Sequence, residues 1–374
     1  MIDSPELAPL RRIGLSAGLW ARMTQQLQAG LDVPGAEPVL RRVTEAHRDG
    51  VVALHDGHTA RRARTHPRRQ ATLDAEGGPL AVGDWVLAAN DAHGDGWVLA
   101  RIAPMTEIAR RLHDGRDKVT RVVLVANVDT VLLVMGLDHD FNLRRLERYV
   151  ALARMAGLPA VLVLTKADEC ALAGQRATEA ATVLPAEVPV LTVDGRDPAV
   201  AQALAPWLQP GQTLVVVGSS GAGKSTLTRT LVAGGPDDEA GQLGKLRTGA
   251  NRDDDSRGRH TTTSRSLWRT PGGACLIDTP GLRTLRLDAD PEDVAGAFDD
   301  VARWADQCRF RDCAHQNEPG CAVREHVPAA RLRNFQKLQR ETARDRMSAL
   351  ERKAQVQSWK VRTKAGRQRA QEKR

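Results

Sequence analysis

The feature that most constrains this chain is Gly218-Ser219-Ser220-Gly221-Ala222-Gly223-Lys224-Ser225, a complete G-x-x-x-x-G-K-[ST] run. It follows an apolar stretch, Leu214 to Val217, that reads as a strand. It opens a segment, Thr226 to Leu231, that reads as a helix. A strand–loop–helix unit of this kind turns backbone N–H groups inward around phosphate oxygens, and the helix N-terminus adds a favourable dipole. The run therefore commits the chain to an α/β architecture and a phosphorylated ligand. Lys224 is expected to reach the β- and γ-phosphates of a nucleoside triphosphate. Ser225 is expected to hold Mg²⁺, with Thr226 completing the binding segment.

The flanking sequence carries the same architecture outward. Apolar runs at Val122 to Ala126, Val131 to Val134, Ala160 to Leu164, Val190 to Val193 and Ala274 to Ile277 alternate with helix-like segments. In one of these, Leu143 to Met155, Leu146, Val150 and Ala153 share a face. This is the pattern of a mostly parallel sheet. Upstream, from Val51 to about Leu112, short β-like runs separated by Gly, Asp and Asn predict a small β-barrel, with Trp85 and Trp97 in its core. Residues before 46 read as a partly helical extension without an assigned role. Beyond Asp288 the chain becomes helical and cysteine-rich, and it ends basic.

Thr165-Lys166-Ala167-Asp168 follows the strand Ala160 to Leu164 and is similar to the Asn-Lys-x-Asp element that selects guanine. A carboxylate at Asp168 can accept from guanine N1–H and from the exocyclic amine, a donor pair that adenine lacks. The Lys166 stem is expected to lie along the base. Thr165 stands where Asn is usual, so a weaker tie to the base edge and to the phosphate loop is expected. Val193-Asp194-Gly195 falls where a minor base-contacting loop belongs.

Asp278-Thr279-Pro280-Gly281 fits D-x-x-G, with Asp278 orienting Mg²⁺ through water and Gly281 sensing the γ-phosphate. Between it and the phosphate loop lies Gly258-Arg259-His260-Thr261-Thr262-Thr263, where a threonine must close onto Mg²⁺; Thr262 is the choice, with Thr261 and Thr263 as alternatives. The order is permuted: the guanine element precedes the phosphate loop, whereas ordinary GTPases run the other way. Circular permutation keeps one spatial site while moving the termini.

Cys308-x4-Cys313-x-His315-x5-Cys321 offers three thiolates and one imidazole within fourteen residues, a set that suits one tetrahedral, structural Zn²⁺. The remaining two of the five cysteines, Cys170 and Cys275, read as ordinary structural residues. The net charge of +8 favours a polyanionic partner. Positive charge is concentrated at Arg61, Arg62, Arg64, Arg68 and Arg69 and again from Arg362 to Arg374. With 3% aromatics, binding through phosphates is expected over extensive base stacking. No run of eighteen apolar residues exists, so no membrane contact is expected.

Together these motifs resemble the ribosome small-subunit-dependent GTPase A family, over roughly residues 46 to 340. The Gly258 to Thr263 hexapeptide and Cys308-Arg309-Phe310-Arg311-Asp312-Cys313 with His315 and Glu318-Pro319-Gly320-Cys321 carry the likeness most specifically. The resemblance implies an OB-fold RNA-binding domain (46–112), a circularly permuted GTPase domain (113–287) and a zinc-binding helical module with basic tail (288–374); it does not call for the N-terminal extension (1–45). It also implies a cytoplasmic, monomeric protein that binds GTP and GDP, engages the small ribosomal subunit and its rRNA, and assists late maturation. Leu282, after the D-x-x-G run, cannot orient a water as a glutamine would, so slow intrinsic turnover is expected, with His260 and Lys224 as catalytic groups beside Thr262. Three alternatives stay open: an RNA-binding switch that uses GTP as a conformational ligand, a permuted GTPase of the large subunit, and an ATPase.

Overall fold

The computed structural model describes residues 2–30, 37–47, 50–75, 78–90, 95–113, 119–235, 265–278, 291–347 and 351. The chain divides into two compact units, Met1–Ile108 with Val123–Leu285, and Ala109–Val122 with Arg286–Arg374.

The first unit opens with helices α1 (Ala8–Arg12) and α2 (Ala17–Gln28). Ser16 caps α2 by accepting from the Leu19 N–H at 3.3 Å. Leu10, Ile13, Leu15, Leu19 and Met23 are buried, so the extension is part of the core and not a free arm.

Five strands follow: β1 (Val39–Ala46), β2 (Val51–His55), β3 (Ala60–Thr65), β4 (Trp85–Asn90) and β5 (Gly96–Ile102), with helix α3 (Gln70–Ala75) between β3 and β4. Antiparallel pairs β1–β2, β2–β3, β4–β5 and β1–β4 and the parallel pair β3–β5 close them into a barrel. β1 begins at Val39, inside the stretch expected to precede the barrel. The interior holds Val43, Val52, Leu54, Val86 and Val98. Trp85 is fully buried but not in the barrel interior: Val86 takes the inward place on β4, and Trp85 lies on the outer face under Arg42. Trp97 is only half-buried. Side chains alternate along β5, and Val98 takes the inward position, leaving Trp97 on the outer face against the His66 ring at 5.7 Å.

Strands β6 (Glu107–His113) and β7 (Val119–Ala126) form a two-stranded sheet. The alternating region then runs β8 (Thr130–Gly136), α4 (Leu143–Met155), β9 (Ala160–Thr165), α5 (Ala173–Val183), β10 (Val190–Thr192), α6 (Val200–Ala203), β11 (Thr213–Gly218), α7 (Lys224–Val232), β12 (Arg265–Arg269) and β13 (Cys275–Asp278). Order β10-β9-β8-β11-β13 is parallel throughout, and β12 joins β13 antiparallel. β8, β9 and β11 are buried along their whole length, which is why they read as unbroken apolar runs. β12 also pairs with β1, through Glu45 opposite Ser266 and Ala46 opposite Arg265. One eleven-stranded sheet therefore runs from β10 into the barrel.

Arg42 of β1 lies at the junction with no exposed surface. Its guanidinium donates to the Ile13 carbonyl, to the Asn127 carbonyl at 3.2 Å and to Thr213 Oγ1 at 3.0 Å, and it lies over the Trp85 ring at 5.7 Å. One side chain thus joins the N-terminal extension, the barrel and the start of β11. The buried guanidinium is held by its two terminal nitrogens, both of which donate, while its Nε finds no hydrogen-bond partner.

The second unit holds α8 (Pro291–Gly296), α9 (Asp299–Ala305), α10 (Ala322–His326) and α11 (Ala329–Arg346). Phe298 meets Phe335 edge-on at 5.4 Å, and Trp304 stacks on His326 at 3.7 Å. Among the described residues no helix is long and apolar enough to cross a membrane.

His55, at the end of β2, is buried and accepts from the Gly57 N–H through Nδ1 at 2.8 Å. Burial first, then the Arg269 charge, lowers its pKa to about 4. Unfolded, it titrates near 6.5, so the unfolded chain takes up the proton first. Stability is whole above pH about 6.5 and declines as pH falls toward about 4, by roughly 3 kcal/mol from this group. Urea midpoints across that range should fall less steeply for His55→Asn, which keeps an acceptor and does not titrate.

Candidate functional site

The site is assembled at the C-terminal ends of β8, β9, β11 and β13. Register places Gly136 opposite Thr165, Gly218 opposite Val134 and Asp278 opposite Val216. The loops leaving these strands therefore emerge at one sheet edge, where α/β proteins bind their ligands.

Gly218 ends β11, and a Cβ there would lie 2.1 Å from the Val134 carbonyl oxygen, so only glycine lets the loop leave beside β8. Gly223 has φ +87° and faces Thr165, whose Oγ1 would be 3.1 Å from an added Cβ. Ala222 is buried, Ser220 and Gly221 are exposed, and Ser219 is half-buried. Helix α7 begins at Lys224, two residues earlier than expected. Lys224 Nζ donates to the Ser219 carbonyl at 2.5 Å, curling over its own loop. Ser225 and Thr226 are exposed on the first turn of α7, beside the positive end of its dipole.

Thr165 is buried at the end of β9, and its hydroxyl donates to the Ala222 carbonyl at 2.7 Å. The guanine-type element and the phosphate loop are thus in direct contact across β8. The weaker tie expected of threonine at this position is a correction: the hydroxyl is short enough to reach the loop carbonyl, and the fully buried bond competes with no water. Lys166 adopts a left-handed backbone, φ +60°. The Ala167 N–H donates to the Val193 carbonyl at 3.2 Å. Asp168 is exposed and paired with Arg196. Arg196 also meets Asp194 at 3.1 Å, and Thr230 of α7 donates to the Gly195 carbonyl at 2.7 Å. The loop 193–196 is therefore pinned between the guanine-type element and the phosphate-loop helix. His260, Thr262 and Gly281, with Thr261, Thr263 and Leu282, lie outside the described residues.

Two carboxylates that no motif marks organise the same edge. Asp138 and Asp140 sit in the turn after β8. Asp138 Oδ2 pairs with Lys166 Nζ at 2.7 Å. Burial alone would raise the Asp138 pKa, but the bond from the Lys166 ammonium and that from the Asp140 N–H together outweigh it and hold the carboxyl below its ordinary range. Asp140 accepts from Ser219 Oγ at 2.5 Å and from the Gly136 N–H at 3.2 Å, and Arg145 closes on it from α4. The backbone couples the two, since the Asp140 N–H donates to Asp138 Oδ1 at 3.0 Å. One turn thereby fixes the lysine of the guanine-type element and the second residue of the phosphate loop. Aspartates after a strand are common turn residues, so the sequence offers no signal beyond the D-x-D spacing.

In the second unit, Cys308, Cys313, His315 and Cys321 bring their ligand atoms within 4.8 Å of one another. His315 Nδ1 lies 3.6 Å from Cys308 Sγ and 3.5 Å from Cys321 Sγ, and the two sulfurs are 3.9 Å apart. Tetrahedral zinc geometry calls for about 3.5 Å between N and S and about 3.8 Å between sulfurs. The donor set and its span fit such an ion. The Glu318 carboxylate shapes the knuckle by accepting from the N–H groups of Ala314, Gln316 and Asn317 at 3.2, 2.7 and 3.0 Å. Gln336 of α11 donates to the His315 carbonyl at 2.8 Å, so the cluster is tied to the last helix.

A family model described as RsgA GTPase matches residues 105–288. The chain is 42% identical over 307 residues to the small ribosomal subunit biogenesis GTPase RsgA of Xanthomonas euvesicatoria pv. vesicatoria, covering 81% of this chain and 80% of that protein. The RsgA protein of Xanthomonas axonopodis pv. citri gives the same figures. Among solved structures, YjeQ from Thermotoga maritima is similar with a TM-score of 0.58 at 23% identity, over 82% of this chain and 99% of that one. YloQ, a circularly permuted GTPase, gives 0.55 at 19% identity, over 83% and 97%. At these identities the structures speak for the fold.

Replacing Asp140 by Ala leaves the Ser219 hydroxyl, the Gly136 N–H and Arg145 without their acceptor. Urea denaturation should show a loss of about 3 kcal/mol for Asp140→Ala and about 1 kcal/mol for Ser219→Ala.

Proposed function

The chain belongs to the RsgA GTPase family and is a GTP hydrolase; from that premise we propose that it hydrolyses GTP on the small ribosomal subunit during late maturation, in the cytoplasm. The observation that carries the nucleotide assignment is the 2.7 Å bond from the Thr165 hydroxyl to the Ala222 carbonyl. It joins a base-reading element to a phosphate-binding loop, as the two ends of one nucleoside triphosphate require.

In this reading guanine lies over the Lys166 stem, with its N1–H and amine donated to Asp168. The Arg196–Asp168 pair is exposed and yields at little cost. The phosphates sit in the loop Gly218 to Thr226, and Lys224 exchanges the Ser219 carbonyl for β- and γ-phosphate oxygens. Ser225 and Asp278, with Thr262, would hold a magnesium ion, which when bound neutralises charge on the phosphate oxygens. Two placements support that donor set: Ser225 is exposed on the first turn of α7, and Asp278 ends the strand beside β11. Gly281 would sense the γ-phosphate. Leu282 cannot orient the attacking water, and we assign that task to His260, brought in when the ribosome orders its loop. The cysteine–histidine cluster would hold one structural zinc, leaving no open coordination position for chemistry. The barrel arginines and the basic C-terminal stretch would grip rRNA phosphates.

GTP hydrolysis measured with and without purified small subunits tests the function. Stimulation by small but not large subunits is expected; equal rates in all three conditions would sink the small-subunit reading. The base assignment has its own test. Asp168→Asn should weaken GTP binding by about 100-fold and improve binding of xanthosine triphosphate, whose carbonyl at position 2 accepts from the new amide; the check is competition with a labelled nucleotide.

A further inference from the structure

The barrel carries a cleft of about 380 Å³ that the nucleotide site does not use. Its walls are His47, Val51, Arg62, Arg64, Asp95 and Trp97. The strand register builds it. On β3 the small Ala63 is buried, which sends Arg62 and Arg64 to the outer surface, where both are exposed. The parallel partner β5 sets Trp97 opposite Arg64 and Gly96 opposite Ala63. At Gly96 a Cβ would lie 2.6 Å from the Arg62 carbonyl oxygen, so the wall between the arginine and the indole is bare backbone. Trp97 is half-buried, and the His66 ring braces it edge-on at 5.7 Å with 76° between planes. The indole is thereby held in place before any ligand arrives.

We propose that this cleft binds one unstacked nucleotide of a single-stranded RNA, with its base against Trp97 and its flanking phosphates on Arg62 and Arg64. The proposal rests on the reading that the protein works on rRNA. Three observations carry it. The volume is that of a small-ligand site and admits a nucleotide. The charge matches: Arg61, Arg62 and Arg64 are exposed along one strand, and Asp95 is the one carboxylate among the described residues of the wall, suited to accept from a base N–H and to turn phosphates toward the arginine side. The position also matches, because His47 and Val51 flank the β1–β2 connection and Asp95 precedes β5. These are the connections through which five-stranded barrels of this class take oligonucleotides. A paired base is stacked and its edge is engaged, so a duplex cannot enter.

The test uses the full-length protein and a short single-stranded RNA carrying 2-aminopurine, whose fluorescence is quenched on stacking. Quenching on wild-type protein is expected, with no competition from an RNA duplex of equal charge. Trp97→Ala should lose about tenfold in affinity with an unchanged salt slope, while Trp97→Phe stays close to wild type. The Arg62→Ala, Arg64→Ala double variant should instead lower the salt slope by about 1.4. Unaltered affinity in a folded Trp97→Ala protein, with its thermal midpoint as the check, would overturn the base site. If that variant does not fold, absence of quenching on the wild type overturns it equally. Co-sedimentation of wild type with small subunits is scored separately: binding there together with loss of the cleft result refutes the cleft alone, and no binding there refutes the function on which it rests.

Discussion

The candidate nucleotide site depends on one buried contact, the Thr165 hydroxyl on the Ala222 carbonyl. β9 and β11 are not neighbours; β8 lies between them. The parallel register brings their ends level, but levelness alone leaves a base-reading turn and a phosphate loop as two separate features. The hydroxyl bridges them, and Gly223, turned to φ +87° where a side chain would crowd that hydroxyl, allows the approach. The turn after β8 reinforces the bridge from beneath, with Asp138 on Lys166 and Asp140 on Ser219. Chain order is irrelevant to this geometry, which is why a permuted sequence can preserve it.

The two units hold themselves together by different physics. The first has a continuous sheet with apolar strands buried on both faces, and needs no cross-link. The second is small, with three short helices, one long one and aromatic contacts at Phe298 and Trp304. A four-donor cluster suits a module with so little interior, since metal binding supplies order that burial cannot.

What the sequence made legible follows from what local chemistry requires. Gly218 and Gly223 are demanded by close approach and positive φ, so their spacing shows in any strand–loop–helix context. Cys308 to Cys321 carry a donor pattern with few other uses. The parallel strands announced themselves as unbroken apolar runs, and Leu143–Met155 fell where its periodicity placed it. The remainder depends on partners distant in sequence. Nothing local marks Asp140 as the acceptor for Ser219 or Arg196 as the partner of Asp168. β1 starts at Val39 because its partners lie on β4 and β12. Trp97 faces outward because Val98 takes the interior place, a choice between adjacent apolar residues that alternation alone leaves open.

The β1–β12 junction also limits how this protein can signal. Glu45 and Ala46 are hydrogen-bonded partners of Ser266 and Arg265, and Arg42 clasps Ile13, Asn127 and Thr213 beside them. Barrel and nucleotide-binding sheet are welded along a shared seam, so neither can swivel against the other without tearing a strand pair. A change of nucleotide must then be broadcast through the connecting loops and not through a hinge between these two parts. The nucleotide proposed for the barrel cleft would then keep a fixed bearing relative to the candidate phosphate loop.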